Sequence, residues 1–156
     1  MEEFNDLAQR ASTQELTPAE VAKINHFTSS FRNLDRLLGV SFRTAGPQGV
    51  TLELNVTTDH IQPFGVTNGG VYASLGETAA SMAGYLAAGA GPLVMGTNNN
   101  TDFLRPSKPG DVIVSTAVPV HLGRTSQLWR VEHVNEENGK TLAITTLKTT
   151  VMPRER

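Results

Sequence analysis

The chain of 156 residues contains no cysteine, which excludes disulfide bonds, thiolate zinc sites and a cysteine nucleophile. It has no dense basic run and a net charge of −2, so nothing favours nucleic acid or an anionic membrane as a partner. The first residues, MEEFNDLAQR, do not resemble a secretory signal, and residues 71–94 have too few large apolar side chains to favour a membrane span. A cytoplasmic protein with a single domain, residues 1–156, is expected.

Charged side chains are also nearly absent from the middle of the chain. Between His60 and Thr101 the one formally charged side chain is Glu77, within the run GGVYASLGETAASMAGYLAAGAG. An isolated carboxylate loses its hydration when buried, so a fold that keeps one there has to hold it in place. Catalysis is one reason to keep it, and a carboxylate satisfied by nearby hydroxyls without any chemistry is the other interpretation.

The amino-terminal part of the chain predicts helix. Thr17-Pro18-Ala19-Glu20 has the spacing of a capping box, with proline at the first helical position. Apolar residues then recur at helical spacing from Val21 to Leu34, which gives one apolar face.

Beyond this segment, the pattern predicts six strands and one long helix. Runs rich in Val, Thr, Ile and Leu predict strands at 37–45, 49–57, 93–104, 111–121, 125–135 and 140–152. Residues 69–88 predict a helix that is apolar nearly all round, as is typical of a buried helix, and Gly89-Ala90-Gly91-Pro92 ends it. An antiparallel sheet packed on one buried helix is an α+β domain.

Three segments resemble one enzyme family. QPFGVTNGGVYASLGETAAS, which begins at Gln62, resembles the active-site signature of small acyl-CoA thioesterases of the 4-hydroxybenzoyl-CoA and phenylacetyl-CoA type. NNNTDFLRPSKPGD and HLGRTSQLWRVE resemble two later segments of that family, in the same order. The resemblance spans about residues 37–152 and implies the hotdog fold, a curved antiparallel sheet around one long central helix, with residues 1–36 as an N-terminal helical extension.

Thioester hydrolysis needs an activated water or a carboxylate nucleophile, and donors where the oxyanion develops. Glu77 is the predicted base or nucleophile, and Ser74 and Ser81 are spaced to hydrogen-bond its carboxylate. We count Ser81 with the catalytic residues. Gly69 and Gly70 open the long helix, where backbone amides are unpaired and the missing Cβ atoms let a substrate carbonyl approach.

The resemblance adds two loop residues to the catalytic set. Gln62 is expected to hold the substrate carbonyl or the attacking water, as its counterpart does in the family. Asn68 stands where the family usually has a histidine that helps bind the carbonyl, and an asparagine cannot titrate near neutral pH. An asparagine can still donate a hydrogen bond, so the binding geometry of the family is expected here, whereas its rate and mechanism do not carry over.

Further residues are expected to bind the rest of the substrate. Side chains of the long helix and of the loop before it are expected to line the acyl pocket. Basic residues are expected to contact the phosphates of coenzyme A. The substrate-binding candidates are Gly70 for the thioester carbonyl, Phe64, Met82 and Tyr85 for the acyl group, and Arg124, Thr125 and Arg105 for coenzyme A.

Metals and other cofactors have no place in this prediction. His60, His121 and His133 are not at a metal-ligand spacing, so structural or surface roles are expected for them. Coenzyme A enters only as part of the substrate, and the proposed reaction needs no metal.

A single protomer of this fold leaves a helix face and a sheet edge uncovered. The resemblance implies a homodimer or a homotetramer of two such dimers, with Glu77 of one chain facing Gln62 and Gly69 of the other. Two alternatives stay open: a non-catalytic acyl-CoA-binding hotdog module, and a hotdog hydratase or dehydratase, which would normally pair a carboxylate with a histidine. The acyl group, aromatic or short to medium aliphatic, also stays open.

Overall fold

The structure is a computed structural model that describes residues 2–152. Its helices before the sheet are α1 (Glu2–Ala11), α2 (Pro18–Ser29) and α3 (Leu34–Leu38), and the first strands are β1 (Ser41–Gly46) and β2 (Gly49–Asn55). A 3₁₀ turn at Thr58–His60 leads to the long helix α4 (Gly69–Ala87). The remaining strands are β3 (Leu93–Phe103), β4 (Val112–Leu122), β5 (Ser126–Asn135) and β6 (Thr141–Met152).

The six strands form one antiparallel sheet in the order β1-β2-β4-β5-β6-β3. The sheet curves around α4, and the N-terminal helices pack against β1 and α4, with Leu7, Val21 and Ile24 buried in the same hydrophobic core. The α+β class and the hotdog arrangement are therefore confirmed, as are the long helix and all six predicted strands to within a few residues at their ends.

Helix α4 is buried, as its composition predicts. Glycines on this helix let the sheet approach closely: a Cβ at Gly76 would lie 2.5 Å from Thr145 of β6, and a Cβ at Gly84 would lie 2.5 Å from Gln127 of β5. The buried residues of α4 are Val71, Tyr72, Leu75, Gly76, Ala79, Ala80, Ala83, Gly84 and Leu86.

The capping box of α2 is confirmed. The Thr17 backbone N–H donates to Glu20 Oε2 at 2.9 Å, and the Glu20 N–H donates to Thr17 Oγ1 at 3.4 Å. The prediction that this helix continues to Leu34 is wrong, because α2 ends at Ser29 and the Ser30 hydroxyl donates to the Phe27 carbonyl at 2.6 Å.

A separate short helix, α3, replaces the start of the first predicted strand. Asn33 caps it by accepting a hydrogen bond from the Arg36 N–H at 2.7 Å, and Gly39 ends it with a φ of 74°. The strand therefore begins at Ser41 rather than at residue 37. Helix α1 lies within the predicted N-terminal helical extension, although no bounds of its own were predicted for it.

The two edges of the sheet differ in their protection. At the β1 edge, the Asn25 amide of α2 donates to the Phe42 carbonyl at 2.9 Å and accepts from the Phe42 N–H at 2.7 Å. At the other edge, β3 runs for 11 residues and exposes Leu93, Met95 and Phe103 to solvent. A long edge strand with exposed apolar side chains is a surface suited to pairing with another chain.

Within residues 2–152, no helix is both long enough and apolar enough to cross a membrane.

Candidate active site

The Glu77 side chain lies between α4 and the edge strand β3. Asn99 Nδ2 donates to Glu77 Oε2 at 3.1 Å and also to the Ala73 carbonyl at 3.0 Å. A Cβ on Gly96 would overlap the Glu77 carboxylate, so a glycine at this point of β3 is what allows the close contact. The carboxylate is therefore held by the edge strand, and it remains partly exposed.

The two serines near Glu77 do not hold it in the predicted way. The Ser74 hydroxyl donates to the Gly70 carbonyl at 2.8 Å, which is the usual backbone bond of a serine inside a helix. Ser81 is half-buried on α4. Within residues 2–152, the hydrogen bond to the carboxylate comes from Asn99, so the prediction that the serines supply it is wrong.

Glu77 opens into a groove of about 490 Å³ between α3, α4 and β3. Asp35 on α3 accepts a hydrogen bond from the Thr78 hydroxyl at 2.7 Å, which fastens the N-terminal extension to α4 beside Glu77. The extension therefore forms one wall of this groove, a role that the sequence did not reveal. The lining residues are Leu34, Asp35, Ala73, Ser74, Glu77, Thr78 and Asn99.

The amino terminus of α4 presents one free backbone amide. Asn68 is the N-cap of the helix, and its Oδ1 accepts a hydrogen bond from the Gly70 N–H at 2.8 Å. The Gly69 N–H makes no hydrogen bond within the described part of the chain. The expectation of two amides available to a substrate oxygen is thus reduced to the amide of Gly69 in this structure.

The Asn68 bond also gives a structural role to the asparagine at the position where the family that the sequence resembles usually has histidine. Asparagine is among the preferred N-cap residues, because its short side chain reaches a backbone N–H of the first turn. Asn68 is committed to this helix cap in the structure and holds the loop against the helix.

A second groove, of about 400 Å³, lies at this end of α4. It brings together three predicted site residues, Gln62, Gly69 and Arg105. Gln62 Oε1 accepts from the Phe64 N–H at 2.6 Å, and Arg105 Nη1 donates to the Thr141 carbonyl at 2.7 Å. The other lining residues are Val66, Thr67, Tyr72, Phe103, Leu104 and Pro106.

Hydroxyl groups fix the walls of this second groove. The Tyr72 hydroxyl lies 2.6 Å from Ser107 Oγ, which lies 2.6 Å from Thr67 Oγ1. Burial raises the pKa of Tyr72, and the hydrogen bond with Ser107 partly opposes that rise. This neutral cluster joins α4 to the loop before it and to the loop between β3 and β4.

The remaining predicted substrate residues line neither groove in one protomer. Phe64 is 91% exposed, and Arg124 and Thr125 are exposed in the turn between β4 and β5. Met82 and Tyr85 pack partly buried against the core, and the Tyr85 hydroxyl donates to the Ala90 carbonyl at 2.8 Å. One protomer therefore gathers the residues around Glu77 and around Gly69, but not a complete substrate site.

Of the three histidines singled out in the sequence, His60 and His133 have structural partners, and His121 is exposed on β4. His60 Nε2 lies 2.8 Å from the Leu38 carbonyl, and the fully buried His133 lies between Ser115 and Thr145. Across residues 2–152, no group of three or more His, Asp or Glu side chains is close enough together to hold a metal ion.

Asn99 and Gly96 are the residues of this site that sequence reasoning missed. A signal for Asn99 is present, because three consecutive asparagines, 98–100, occupy a segment that is otherwise predicted as a strand. Asparagine is depleted in strands, so such a run indicates that a side chain is needed for something other than pairing.

Comparisons of the sequence and of the structure with known proteins both find thioesterases. The sequence profile of the thioesterase superfamily matches residues 64–142. A Mycobacterium tuberculosis protein that bears the name "putative esterase" is 43% identical over 100 residues, covering 62% of this chain and 71% of that protein. The proofreading thioesterase EntH of Cronobacter turicensis is 36% identical over 115 residues, covering 74% of this chain and 82% of that protein.

Among solved structures, a thioesterase of Haemophilus influenzae superposes with a TM-score of 0.79 at 30% sequence identity. The match covers 87% of this chain and 92% of that one.

Proposed function

Because the chain belongs to the thioesterase superfamily and is a thioester hydrolase, we propose that it hydrolyses an acyl-CoA to the free acid and coenzyme A. The observation that carries this proposal is the pairing of two features on α4. A partly exposed carboxylate, Glu77, faces an open groove, and a free amide, Gly69 N–H, marks the start of the same helix.

Each feature supplies one requirement of the reaction. Glu77 acts as the general base on a water or as the nucleophile on the thioester carbon. The Gly69 N–H donates to the carbonyl oxygen as negative charge develops there, and the positive end of the helix dipole adds to this effect. Gln62 holds the carbonyl or the water, and Ser81, one turn after Glu77, helps to orient the water.

These two features are too far apart to act on one thioester from the same chain. Gly69 and Glu77 are eight residues apart on α4, which corresponds to a rise of about 12 Å. The donor and the attacking atom each have to come within about 3 Å of the reacting carbonyl group. We therefore propose that Glu77 of one protomer works with Gly69 and Gln62 of a second protomer.

The open edge of the sheet supports this arrangement. Glu77 is bonded to Asn99 on β3, and β3 is the long edge strand with exposed Leu93 and Met95. A second copy that pairs along β3 would extend the sheet and bring its own atoms next to Glu77. The proposed assembly is a homodimer built on this edge, and a homotetramer is two such dimers.

The coenzyme A portion is proposed to bind across the turn between β4 and β5. Arg124 and Thr125 are exposed there, and Arg105 lies on the wall of the second groove, where its guanidinium has donors to spare after the bond to Thr141. Phe64, Met82 and Tyr85 are proposed to enclose the acyl group once a partner covers them. The reaction uses no cofactor beyond the substrate itself.

The test of this function is thiol release from a panel of aromatic and aliphatic acyl-CoAs, with the same acyl groups on pantetheine for comparison. The account predicts turnover that Glu77→Ala abolishes, and weaker binding of the pantetheine esters, because they lack the nucleotide phosphates. Binding of acyl-CoAs in calorimetry without turnover would instead identify a binding module.

A further inference from the structure

A continuous chain of side-chain hydrogen bonds leads from Glu77 into the interior of the sheet. Asn99 Nδ2 donates to Glu77 Oε2 at 3.1 Å, and the Thr101 hydroxyl donates to Asn99 Oδ1 at 2.9 Å. Thr101 Oγ1 lies 2.9 Å from Thr145 Oγ1 on the neighbouring strand β6. The carboxylate is therefore connected to the sheet by two side chains of β3 and one of β6.

The chain continues to a histidine in the core. His133 Nε2 lies 2.9 Å from Thr145 Oγ1, and His133 Nδ1 lies 2.7 Å from Ser115 Oγ. Thr145, His133 and Ser115 are all 0% exposed. Buried polar groups are costly unless they are paired, and each of these is paired with the next.

The carboxylate of Glu77 determines which atom is the donor in each hydrogen bond of this chain. Glu77 as a carboxylate only accepts, so the Asn99 amide presents its nitrogen to Glu77 and its oxygen to Thr101. Thr101 has one hydroxyl proton and gives it to Asn99, so Thr145 has to donate to Thr101. Thr145 then accepts from His133, which carries its proton on Nε2 and accepts from Ser115 at Nδ1.

The environment of His133 favours the neutral ring that this arrangement requires, with its proton on Nε2. Burial lowers the pKa of His133 to about 4, and the nearby Glu132 opposes the decrease only in part. The ring is therefore neutral at pH 7 and has one N–H to donate. Tyr72 packs edge-on against it with ring centres 5.6 Å apart, which fixes the plane of the imidazole.

The close packing of α4 also fixes the middle of the chain. Thr145 lies directly against Gly76, one residue before Glu77, where a Cβ would come within 2.5 Å of Thr145. The hydroxyl of Thr145 therefore has little freedom to turn away from Thr101.

We propose that Thr101, Thr145 and His133 are positioning residues that set the orientation of the Asn99 amide and, through it, the position of the Glu77 carboxylate. The inference rests on the proposed function only in taking Glu77 as the catalytic carboxylate. Thr145 and His133 are 0% exposed, so they act on Glu77 through Thr101 and Asn99 rather than by contact with a substrate. Their effect is to prevent the Asn99 amide from rotating by half a turn, which would place its oxygen against the carboxylate oxygen.

The first test compares Thr101→Val, which keeps the shape and removes the hydroxyl, with Thr101→Ser, which restores a hydroxyl. We expect Thr101→Val to lower kcat about 5- to 10-fold with little change in KM, the size of one lost hydrogen bond. Thr101→Ser is expected to recover most of the loss. Thr116→Val is the matched control, because it removes a similar cross-strand hydroxyl pair with Thr51 away from Glu77.

Two outcomes of these assays overturn the proposal. One is a kcat for Thr101→Val equal to that of the native enzyme, and the other is an equal loss in Thr101→Val and Thr101→Ser. A kcat loss in Thr116→Val as large as that in Thr101→Val would also do so, because it would make the effect a general loss of sheet stability.

The second test does not depend on turnover. Long-range ¹⁵N–¹H correlation spectra of the native protein at pH 7 are expected to show His133 as the neutral Nε2–H tautomer. An Nδ1–H tautomer would reverse the direction of the chain and overturn the proposal. If the native protein released no thiol, the proposed function would fail, and this spectrum would still judge the hydrogen-bond chain.

Discussion

Asn99 Nδ2 donates to Glu77 Oε2 across 3.1 Å, and this bond joins the central helix to the open edge of the sheet. The two residues are 22 positions apart in the chain and belong to different elements. The position of the carboxylate therefore depends on β3, and whatever shifts β3 also shifts Glu77. The edge strand β3, which pairs with β6 on one side, is therefore the strand that holds Glu77, the proposed catalytic carboxylate.

Gly96 is the position on β3 where this dependence is most easily tested. A Cβ there would overlap the Glu77 carboxylate, so Gly96→Ala is expected to displace it and to lower thiol release at least tenfold. Gly91→Ala is the control, because its nearest neighbour would be a carbonyl oxygen 4.0 Å away. Native activity in Gly96→Ala would show that the carboxylate does not need its present position.

Asn68 is predicted to contribute mainly to stability. Asn68→Ala removes the N-cap of α4 and is expected to lower the free energy of unfolding by about 1 kcal/mol, whereas Asn68→Ser should retain most of it. Urea denaturation of the three proteins measures the difference. Equal stability of Asn68→Ala and the native protein would show that the capping bond contributes nothing.

His133 should make the stability depend on pH. Its folded pKa of about 4 lies below the unfolded value of 6.5, so the unfolded chain binds more protons between these pH values. The contribution to stability is complete above pH 6.5 and is lost as the pH falls towards 4. At pH 5 the loss is about 2 kcal/mol.

Urea denaturation at pH 7 and pH 5 measures this loss, with His133→Asn as the comparison. The variant is expected to be less stable at pH 7 and to lose less stability on acidification. Carboxyls with a lowered pKa change the stability at lower pH, and they are present in both proteins. They are Glu3, Glu20, Glu132 and Glu136. The same decrease in both proteins would exclude His133 as its source.

A site shared between two protomers makes a specific prediction for mixtures. Glu77→Ala and Gln62→Ala are each expected to be nearly inactive. When the two are unfolded together and refolded, half of the dimers are mixed, and each mixed dimer has one intact site. Thiol release should therefore recover to about a quarter of the native rate. A site formed within one chain gives no recovery.

The sequence was sufficient to predict the fold because its local signals agree with the tertiary structure. The capping box at Thr17, the alternation in β2 and the buried composition of α4 each act over a few residues. The end of α2 was harder to predict, because the apolar spacing continues to Leu34. The helix nevertheless ends at Ser29, where the hydroxyls of the serines at 29 and 30 donate to carbonyls of its last turn. Apolar periodicity alone does not register such side-chain bonds.

The site could be predicted only in part, for a related reason. Glu77 stands out because no other charge surrounds it, and Gly69 because it opens a helix. The partner of Glu77 is a residue of another element, and choosing Asn99 over Ser74 or Ser81 requires the pairing of β3 with β6 and its approach to α4. The same holds for Asp35, which reaches Thr78 from the N-terminal extension.

The most direct test of the account is the rate of thiol release by Glu77→Gln, which keeps the shape of the side chain and removes its charge. The account predicts a rate about 100- to 10,000-fold below that of the native protein, with an unchanged melting temperature. A rate equal to the native rate in a folded variant would contradict it, since it would show that the carboxylate takes no part in the reaction.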